Sequence, residues 1–154
     1  MTATQENGPV SRFLPHRDPL ILLDDVVVTT EEEARTRARI DADHPFMTAQ
    51  GVAGHVLIEL MAQTCGVFVG AQSMAQGHPI QPGFLLGSRN FQTRSAWIKI
   101  GTVLDIHATL VFRDEAMAVF DCAVECGGER IAEARLNVYQ PPDGQNIRAE
   151  TEPS

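Results

Sequence analysis

A single acid in a long apolar stretch is the first candidate for chemistry in this sequence. Glu59 is the only Asp, Glu, Lys or Arg between Gly54 and Gly77. A carboxylate in such surroundings is rarely buried without a partner, and acids placed in clefts often mark functional sites. Glu59 is therefore expected to be either a structural acid with a satisfied partner or a proton donor.

The stretch around Glu59 is predicted to be one long helix that is largely buried. At helical spacing, His55, Glu59 and Gln63 fall on one stripe, since they follow each other at i, i+4 and i+8. Small residues fall on the same face, namely Ala62, Gly66 and Gly70, whereas the other side is bulky, with Leu57, Leu60, Met61 and Phe68. Small residues allow a backbone or a long thin ligand to approach closely. We therefore expect Glu59 to lie partly buried at a tunnel along this face.

Five histidines could supply a base. His55 precedes Glu59 by one helical turn, which is also a common structural pairing, and His44 lies in the segment before the helix. The others are interpreted as structural or solvent-facing, namely His16, His78 and His107. No pair of histidines has metal-type spacing to a carboxylate, so neither a metal nor a cofactor is predicted.

Charge and cysteine content exclude several classes of protein. The formal net charge is −8, and the 12 basic residues form no run, which argues against nucleic acid as a partner. The three cysteines, Cys65, Cys122 and Cys126, have no metal-type pattern and are expected to be free thiols, mostly buried.

Most of the remaining chain is predicted to be β-strand. The predicted strands are Leu20–Thr30, Ala34–Ile40, Gly83–Arg94, Thr102–Phe112, Met117–Cys126 and Glu129–Tyr139. Asp41–Ala53 is predicted to be a loop and Trp97–Gly101 a bend. The order β-β-α-β-β-β-β indicates an α+β domain in which a curled antiparallel sheet of six strands wraps around one long central helix. Its open edges favour a dimer.

The ends of the chain are polar. Residues 1–10 are expected to be disordered, residues 11–140 to form the domain, and residues 141–154 to form a polar tail. The opening MTATQENGPVSRF resembles no hydrophobic signal segment, so a cytoplasmic location is expected. The helix is interrupted by Gln, Glu and Gly, which disfavours a membrane span.

Three motifs in the correct order give the chain a family resemblance. They are FLPHRDPLILLDDVV, GHVLIELMAQ, and GFLLGSRNFQTR followed by a Gly-x-x-Leu at residues 101–104. Over about residues 12–140 the chain resembles the hotdog-fold dehydratases that act on 3-hydroxyacyl groups carried by acyl carrier protein. The resemblance implies the hotdog fold, an acyl-phosphopantetheine substrate and a lyase activity.

The resemblance also implies roles for individual residues. Elimination of water from a 3-hydroxyacyl thioester needs a base for the C2 proton and an acid for the C3 hydroxyl. Glu59 matches the Glu of the family's helix, and Gly54 matches the Gly that begins the helix, where N–H groups can polarise the thioester carbonyl. Substrate contacts are expected from Gly54, His55, Gln63, Gly66, Phe84 and Leu85.

The loop before the helix departs from the family pattern. The family carries His-Phe-Pro-Gly-x-Pro there, with the His acting across the dimer interface, whereas this chain has HPFMTAQGVAG. One alignment places His44 one residue out of register with the catalytic His, and another deletes that His with the shortened loop. His44 is ranked first as the base because it can approach from a partner, whereas His55 is stacked against Glu59. The shortened loop and the Leu-Leu-Gly-Ser-Arg strand resemble a divergent branch found in aryl-polyene pigment clusters.

Three functions follow as hypotheses. The first is a 3-hydroxyacyl-[acyl-carrier-protein] dehydratase that uses Glu59 and His44. The second is a weakly active or inactive acyl-binding subunit that pairs with a second hotdog dehydratase, and the third is a hotdog acyl thioesterase. The expected partners are acyl carrier protein and either a second copy or another hotdog dehydratase. A local basic rim would receive the acidic carrier, and its candidates are Arg17, Arg89, Arg94 and Lys99.

Overall fold

The central helix packs against one face of a six-stranded antiparallel sheet. The computed structural model describes Val10 and residues 21–78 and 84–139, without the side chains of Phe84 and Leu86. In chain order the elements are β1 (Asp25–Thr29), β2 (Glu33–Arg39), β3 (Met47–Thr48), β4 (Gly51–Ala53), a 3₁₀ turn (Gly54–Val56), α1 (Leu57–Ala75), β5 (Phe84–Thr93), β6 (Trp97–Ile98), β7 (Val103–Arg113), β8 (Met117–Cys126) and β9 (Glu129–Tyr139). The large sheet has the order β1-β2-β7-β8-β9-β5. The predicted hotdog architecture is confirmed.

Two segments that were predicted to be irregular form a second, small sheet. Strands β3 and β4 arise within the predicted loop, and β6 arises within the predicted bend. They pair in the order β3-β4-β6. Gly51 permits this pairing, because its φ is 114° and a Cβ there would collide with the Ile98 carbonyl oxygen. Strands this short carry no detectable alternation of polar and apolar residues, so the sequence pattern gave no sign of them.

The bulky side of α1 forms the core with the inner face of the large sheet. Leu57, Leu60 and Met61 are at most 1% exposed, and the rings of Phe68 and Phe120 meet edge-on with centroids 5.4 Å apart. Residues 54–75 are long and apolar enough to cross a membrane, but 72% of the relevant window is buried inside the fold. The helix is therefore buried in the core of the fold, as predicted.

The three cysteines are free thiols, as predicted, and two of them are buried. Cys65 and Cys122 are free and buried, with their Sγ atoms 3.5 Å apart, while Cys126 is half-buried. Burial and the neighbouring Cys122 thiol raise the pKa of Cys65 well above its ordinary value. Cys65 is therefore a packing residue that stays protonated at physiological pH.

Strand β5 is an edge strand of the large sheet within the described part of the chain. It pairs with β9 on one side and is the last strand in the sheet order. Leu85 lies opposite Val138, which is 6% exposed on the inner face, yet Leu85 itself is 42% exposed. An apolar residue on the inner face that stays exposed at a sheet edge is a surface suited to a partner or a ligand. The dimer stays a prediction.

Candidate active site

Glu59 lies in the first turns of α1 and is exposed in the single chain. The expectation that it is partly buried is therefore wrong for the isolated chain. The sheet covers the bulky side of the helix and leaves a stripe uncovered, on which His55 and Glu59 are exposed and Ala62 and Gly66 are half-buried. The tunnel predicted along this stripe requires a second wall, and it stays a prediction.

A buried amide connects Glu59 to the segment before β1. Gln63 is 2% exposed, and its Nε2 donates a hydrogen bond of 3.2 Å to Glu59 Oε2. The Leu22 backbone N–H donates to Gln63 Oε1 at 2.9 Å. Gln63 was predicted to contact substrate, but in the structure it links Glu59 to the core.

Gly54 is required by packing at the start of the helix. Its N–H donates to the Ala96 carbonyl oxygen at 2.8 Å. A Cβ at this position would collide with the Ser95 carbonyl oxygen, which is a backbone atom and cannot rotate away. The Gly54 N–H is therefore committed to the loop before β6. Polarisation of a substrate carbonyl at the start of the helix would require other N–H groups of the first turn, and it stays a prediction.

We expect Gly54→Ala to lower the free energy of unfolding by about 1–3 kcal/mol, because the added methyl group overpacks a rigid contact. Urea denaturation followed by circular dichroism measures the change. Gly87→Ala is the matched control, since a Cβ at Gly87 meets nothing within 4 Å. A loss of stability at Gly87 equal to that at Gly54 would contradict the packing argument.

The ring of His44 is held by its own loop. The Phe46 backbone N–H donates to His44 Nδ1 at 3.1 Å. In the neutral ring the hydrogen is therefore on Nε2. Nε2 is buried and finds no hydrogen-bond partner among the described residues. In this conformation neither ring nitrogen of His44 offers a free lone pair to a substrate proton.

The surroundings of His44 disfavour the charged form of its ring. Burial lowers the pKa of His44 below its ordinary value of 6.5, although Asp24, Asp41 and Asp43 act in the opposite direction. His44 and Leu22 line the same open cleft, with a volume of about 310 Å³. The Leu22 N–H also donates to Gln63 Oε1, which connects this wall of the cleft to the amide that contacts Glu59. The role of His44 as a base stays a prediction, and it requires the Phe46 hydrogen bond to break.

The other candidate residues are dispersed. His55 and His78 are exposed, and among the described residues no hydrogen bond joins His55 to Glu59. His107 lies on β7 with its Nε2 3.7 Å from Glu125 Oε1. His16, Arg17 and the side chain of Phe84 lie outside the described part of the chain.

Sequence reasoning missed two backbone groups that shape the site. The Leu22 N–H orients Gln63, and the Ala96 carbonyl fixes the first residue of the helix. Both groups lie far from the helix along the chain, and backbone atoms carry no residue-specific signal. The i, i+4 spacing of Glu59 and Gln63 was the one available sign of their contact.

The chain matches one protein family over most of its length. The model of the ApeP-like family, described as ApeP dehydratase, matches residues 8–149. The 3-hydroxyacyl-[acyl-carrier-protein] dehydratase FabZ of Bartonella henselae is 32% identical over 132 residues, which cover 80% of this chain and 82% of the relative. These matches include the segments that carry Glu59 and Gln63.

Two solved structures extend the similarity. The dehydratase heterocomplex ApeI:P from Xenorhabdus doucetiae contains a chain with 30% identity and a TM-score of 0.87, and the match covers 94% of this chain and 99% of that one. A hypothetical thioesterase from Streptococcus pneumoniae, solved with coenzyme A, has 17% identity and a TM-score of 0.57 over 74% of this chain and 85% of that one. The second likeness extends to the fold alone.

Proposed function

This chain belongs to the ApeP-like dehydratase family, and on that premise we propose that it eliminates water from 3-hydroxyacyl thioesters on acyl carrier protein as one subunit of a hetero-oligomer. The second subunit is another hotdog dehydratase. The chain contributes Glu59 to the shared site, and the partner closes the uncovered stripe of α1. The reaction serves fatty-acid or polyene-type biosynthesis in the cytoplasm.

The chemistry assigns two proton transfers to two groups. One group removes the C2 proton, and the other protonates the C3 hydroxyl as it leaves as water. Glu59 suits the second role, because it lies on the open stripe and a carboxyl group can carry a proton to a neighbouring oxygen. The two groups must approach C2 and C3 from different directions, so His55, on the same helix face one turn away, is unsuited to the first role.

The geometry of His44 is the observation that supports a second subunit. Its Nδ1 accepts the Phe46 N–H, and its Nε2 is buried. Among the described residues, the chain therefore presents the acid on an exposed surface without a prepared base beside it. A histidine from the partner subunit would supply the missing base, and the heterocomplex of the similar ApeI:P structure supports such an assembly.

A self-sufficient homodimer is the second candidate. The cleft shared by His44 and Leu22 favours it, because a small movement of the loop would expose the ring next to the segment that is bonded to Gln63. In that case His44 would act as the base once the Phe46 hydrogen bond is released.

An assay that separates elimination from hydrolysis tests the proposed class of reaction. A 3-hydroxyacyl carrier protein incubated with the hetero-oligomer should yield the enoyl thioester, detected by mass spectrometry as loss of one water. Release of a free thiol without formation of the enoyl product would instead indicate a thioesterase.

Leu85 is proposed to contact the acyl chain or the second subunit. It lies on the inner face of β5 at the open edge of the sheet and is 42% exposed. Covering such a side chain is worth up to about 1.5–3 kcal/mol. Gly66 is half-buried on the uncovered stripe of α1. We propose that its lack of a side chain keeps a narrow path for the acyl chain open along this stripe.

Lys99 is the proposed contact with the acidic carrier. Arg94 already pairs with Glu129 at 3.6 Å, whereas Lys99 is exposed two residues from Trp97 and forms no ion pair within the described chain. We expect Lys99→Glu to raise KM for carrier-bound substrate by about fivefold, the size of a surface ion pair worth about 1 kcal/mol. Steady-state kinetics measure the change.

The control for this prediction uses a small thioester substrate and a distant cation. KM for an N-acetylcysteamine thioester should be the same for Lys99→Glu and for the unaltered chain. Arg113→Glu, which reverses an exposed charge at the end of β7, should leave both KM values unchanged. An equal rise for both substrates would show that Lys99 does not act through the carrier.

A further inference from the structure

An apolar patch lies at one end of the outer face of the large sheet, the face turned away from α1. Phe112 is 56% exposed and Val111 is 47% exposed, and three half-buried side chains adjoin them. This surface, the outer patch, consists of Val111, Phe112, Met117, Val119 and Tyr139. Contiguous exposed apolar surface that is bounded by polar residues marks sites of interaction between proteins.

The register of three strands joins these side chains into one surface. Met117 and Val119 alternate along β8 with buried residues that point into the core, so both point outward. Val119 lies opposite Phe112 on β7, and Met117 lies opposite Tyr139 on β9. Directly opposite residues have Cβ atoms about 5 Å apart, so their side chains interact. Val111 extends the surface, because it lies in the bulge next to Phe112.

Charges of opposite sign bound the outer patch on two sides. On one side, the turn after β7 contains the exposed Asp114, whose Oδ1 accepts only backbone N–H groups. On the other side, in the row of residues beyond the patch, Arg89 on β5 lies opposite Arg135 on β9. Asp121 accepts two hydrogen bonds from Arg135, at 2.8 and 3.1 Å. Within the described residues, neither Arg89 nor Asp114 forms an ion pair.

We propose that the outer patch binds the outer patch of a second copy of this chain, with Arg89 of each copy facing Asp114 of the other. In a two-fold contact every residue pair forms twice, because the same surface is used by both copies. The patch lies between Asp114 and Arg89, so a two-fold axis through the patch brings each of them to the other. An acidic partner such as the carrier protein would be attracted by Arg89 but repelled by Asp114, whereas a second copy satisfies both.

This contact goes beyond the proposed function, because the sheet separates the outer patch from α1. Two copies joined at their outer faces leave the stripe with Glu59 uncovered, so each copy can still bind a second hotdog dehydratase there. The segment that follows Tyr139 is a poor alternative occupant, since residues 140–154 contain one large apolar residue, Ile147. A second copy offers five such side chains.

Sedimentation velocity of the full-length chain at micromolar concentrations tests the contact. We expect Phe112→Asp to weaken self-association by about thirtyfold or more, the effect of losing one central apolar anchor, and to halve the mass of the assembly. Val103→Asp is the matched control, because Val103 is a 43% exposed apolar residue at the other end of β7, and it should retain the mass. Equal masses for Phe112→Asp and the unaltered chain, or an equal loss in both variants, would overturn the proposal.

An exchange of charges tests the two-fold arrangement. Arg89→Asp should weaken self-association by about tenfold, because it places like charges together at two positions. Addition of Asp114→Arg to this variant should restore the association, which only a contact between the two positions explains. Circular dichroism checks that both variants fold. If Asp114→Arg disrupts the turn, Asp114→Asn keeps the acceptor oxygen and should by itself weaken the association.

Two results would contradict a contact between identical patches. One is a double exchange that folds but does not recover the association of the unaltered chain. The other is a Phe112→Asp variant that changes the mass only in a mixture with a second hotdog dehydratase. In that case the outer patch would bind the other subunit, and the proposed second copy would be wrong.

Discussion

Glu59→Gln should reduce the dehydration rate of the assembled enzyme by about 10²–10⁴-fold, the usual contribution of one positioned proton-transfer group. Glutamine keeps the size of the side chain and can still meet the Gln63 amide through its own carbonyl oxygen. It cannot deliver a proton to the departing C3 hydroxyl. The kcat for a 3-hydroxyacyl carrier protein measures the loss.

The variant should fold normally, because Glu59 is exposed and surface substitutions usually change stability by less than about 0.5 kcal/mol. Glu115→Gln, in the exposed turn between β7 and β8, removes the same charge away from the helix and should retain full activity. A Glu59→Gln enzyme with undiminished kcat would remove Glu59 from the mechanism.

The second large effect is expected when this chain is mixed with a second hotdog dehydratase. This chain alone should show little turnover, and addition of a second hotdog dehydratase should raise the rate by about 10²-fold or more, because the partner supplies the base. The rate should follow the amount of hetero-oligomer, which analytical ultracentrifugation quantifies. Mixing the same partner with the Glu59→Gln variant corrects for any turnover by the partner alone.

The homodimer reading predicts a different pattern. Full activity of this chain by itself, lost on His44→Ala, would refute the need for a second subunit and establish His44 as the base. The hetero-oligomer reading expects His44→Ala to retain the activity of the mixture. The two readings therefore predict opposite results for the activity of this chain alone and for the effect of His44→Ala.

The sequence by itself determined the architecture of this protein. Residues 57–75 are apolar over most of their circumference, which only a helix inside a core can satisfy, and the strands Met117–Cys126 and Glu129–Tyr139 were predicted with the bounds that the structure has. The helix and these strands follow from the spacing of apolar residues over ten or more consecutive positions. Such a pattern lies within one segment, so it can be recognised without the tertiary structure. The order of three short motifs then identified the family.

The tertiary structure decided which atoms of the candidate site are available. Glu59 was expected to be partly buried and is exposed, because the curled sheet covers only the bulky side of the helix. Gly54 was expected to contact substrate, but its N–H donates to the Ala96 carbonyl oxygen, and His44 Nδ1 accepts the Phe46 N–H. Exposure and hydrogen-bond direction depend on backbone atoms brought from distant segments, and these atoms are the same in every residue except proline. A sequence pattern therefore predicts which side chains could react, while the fold determines which of their atoms remain free to do so.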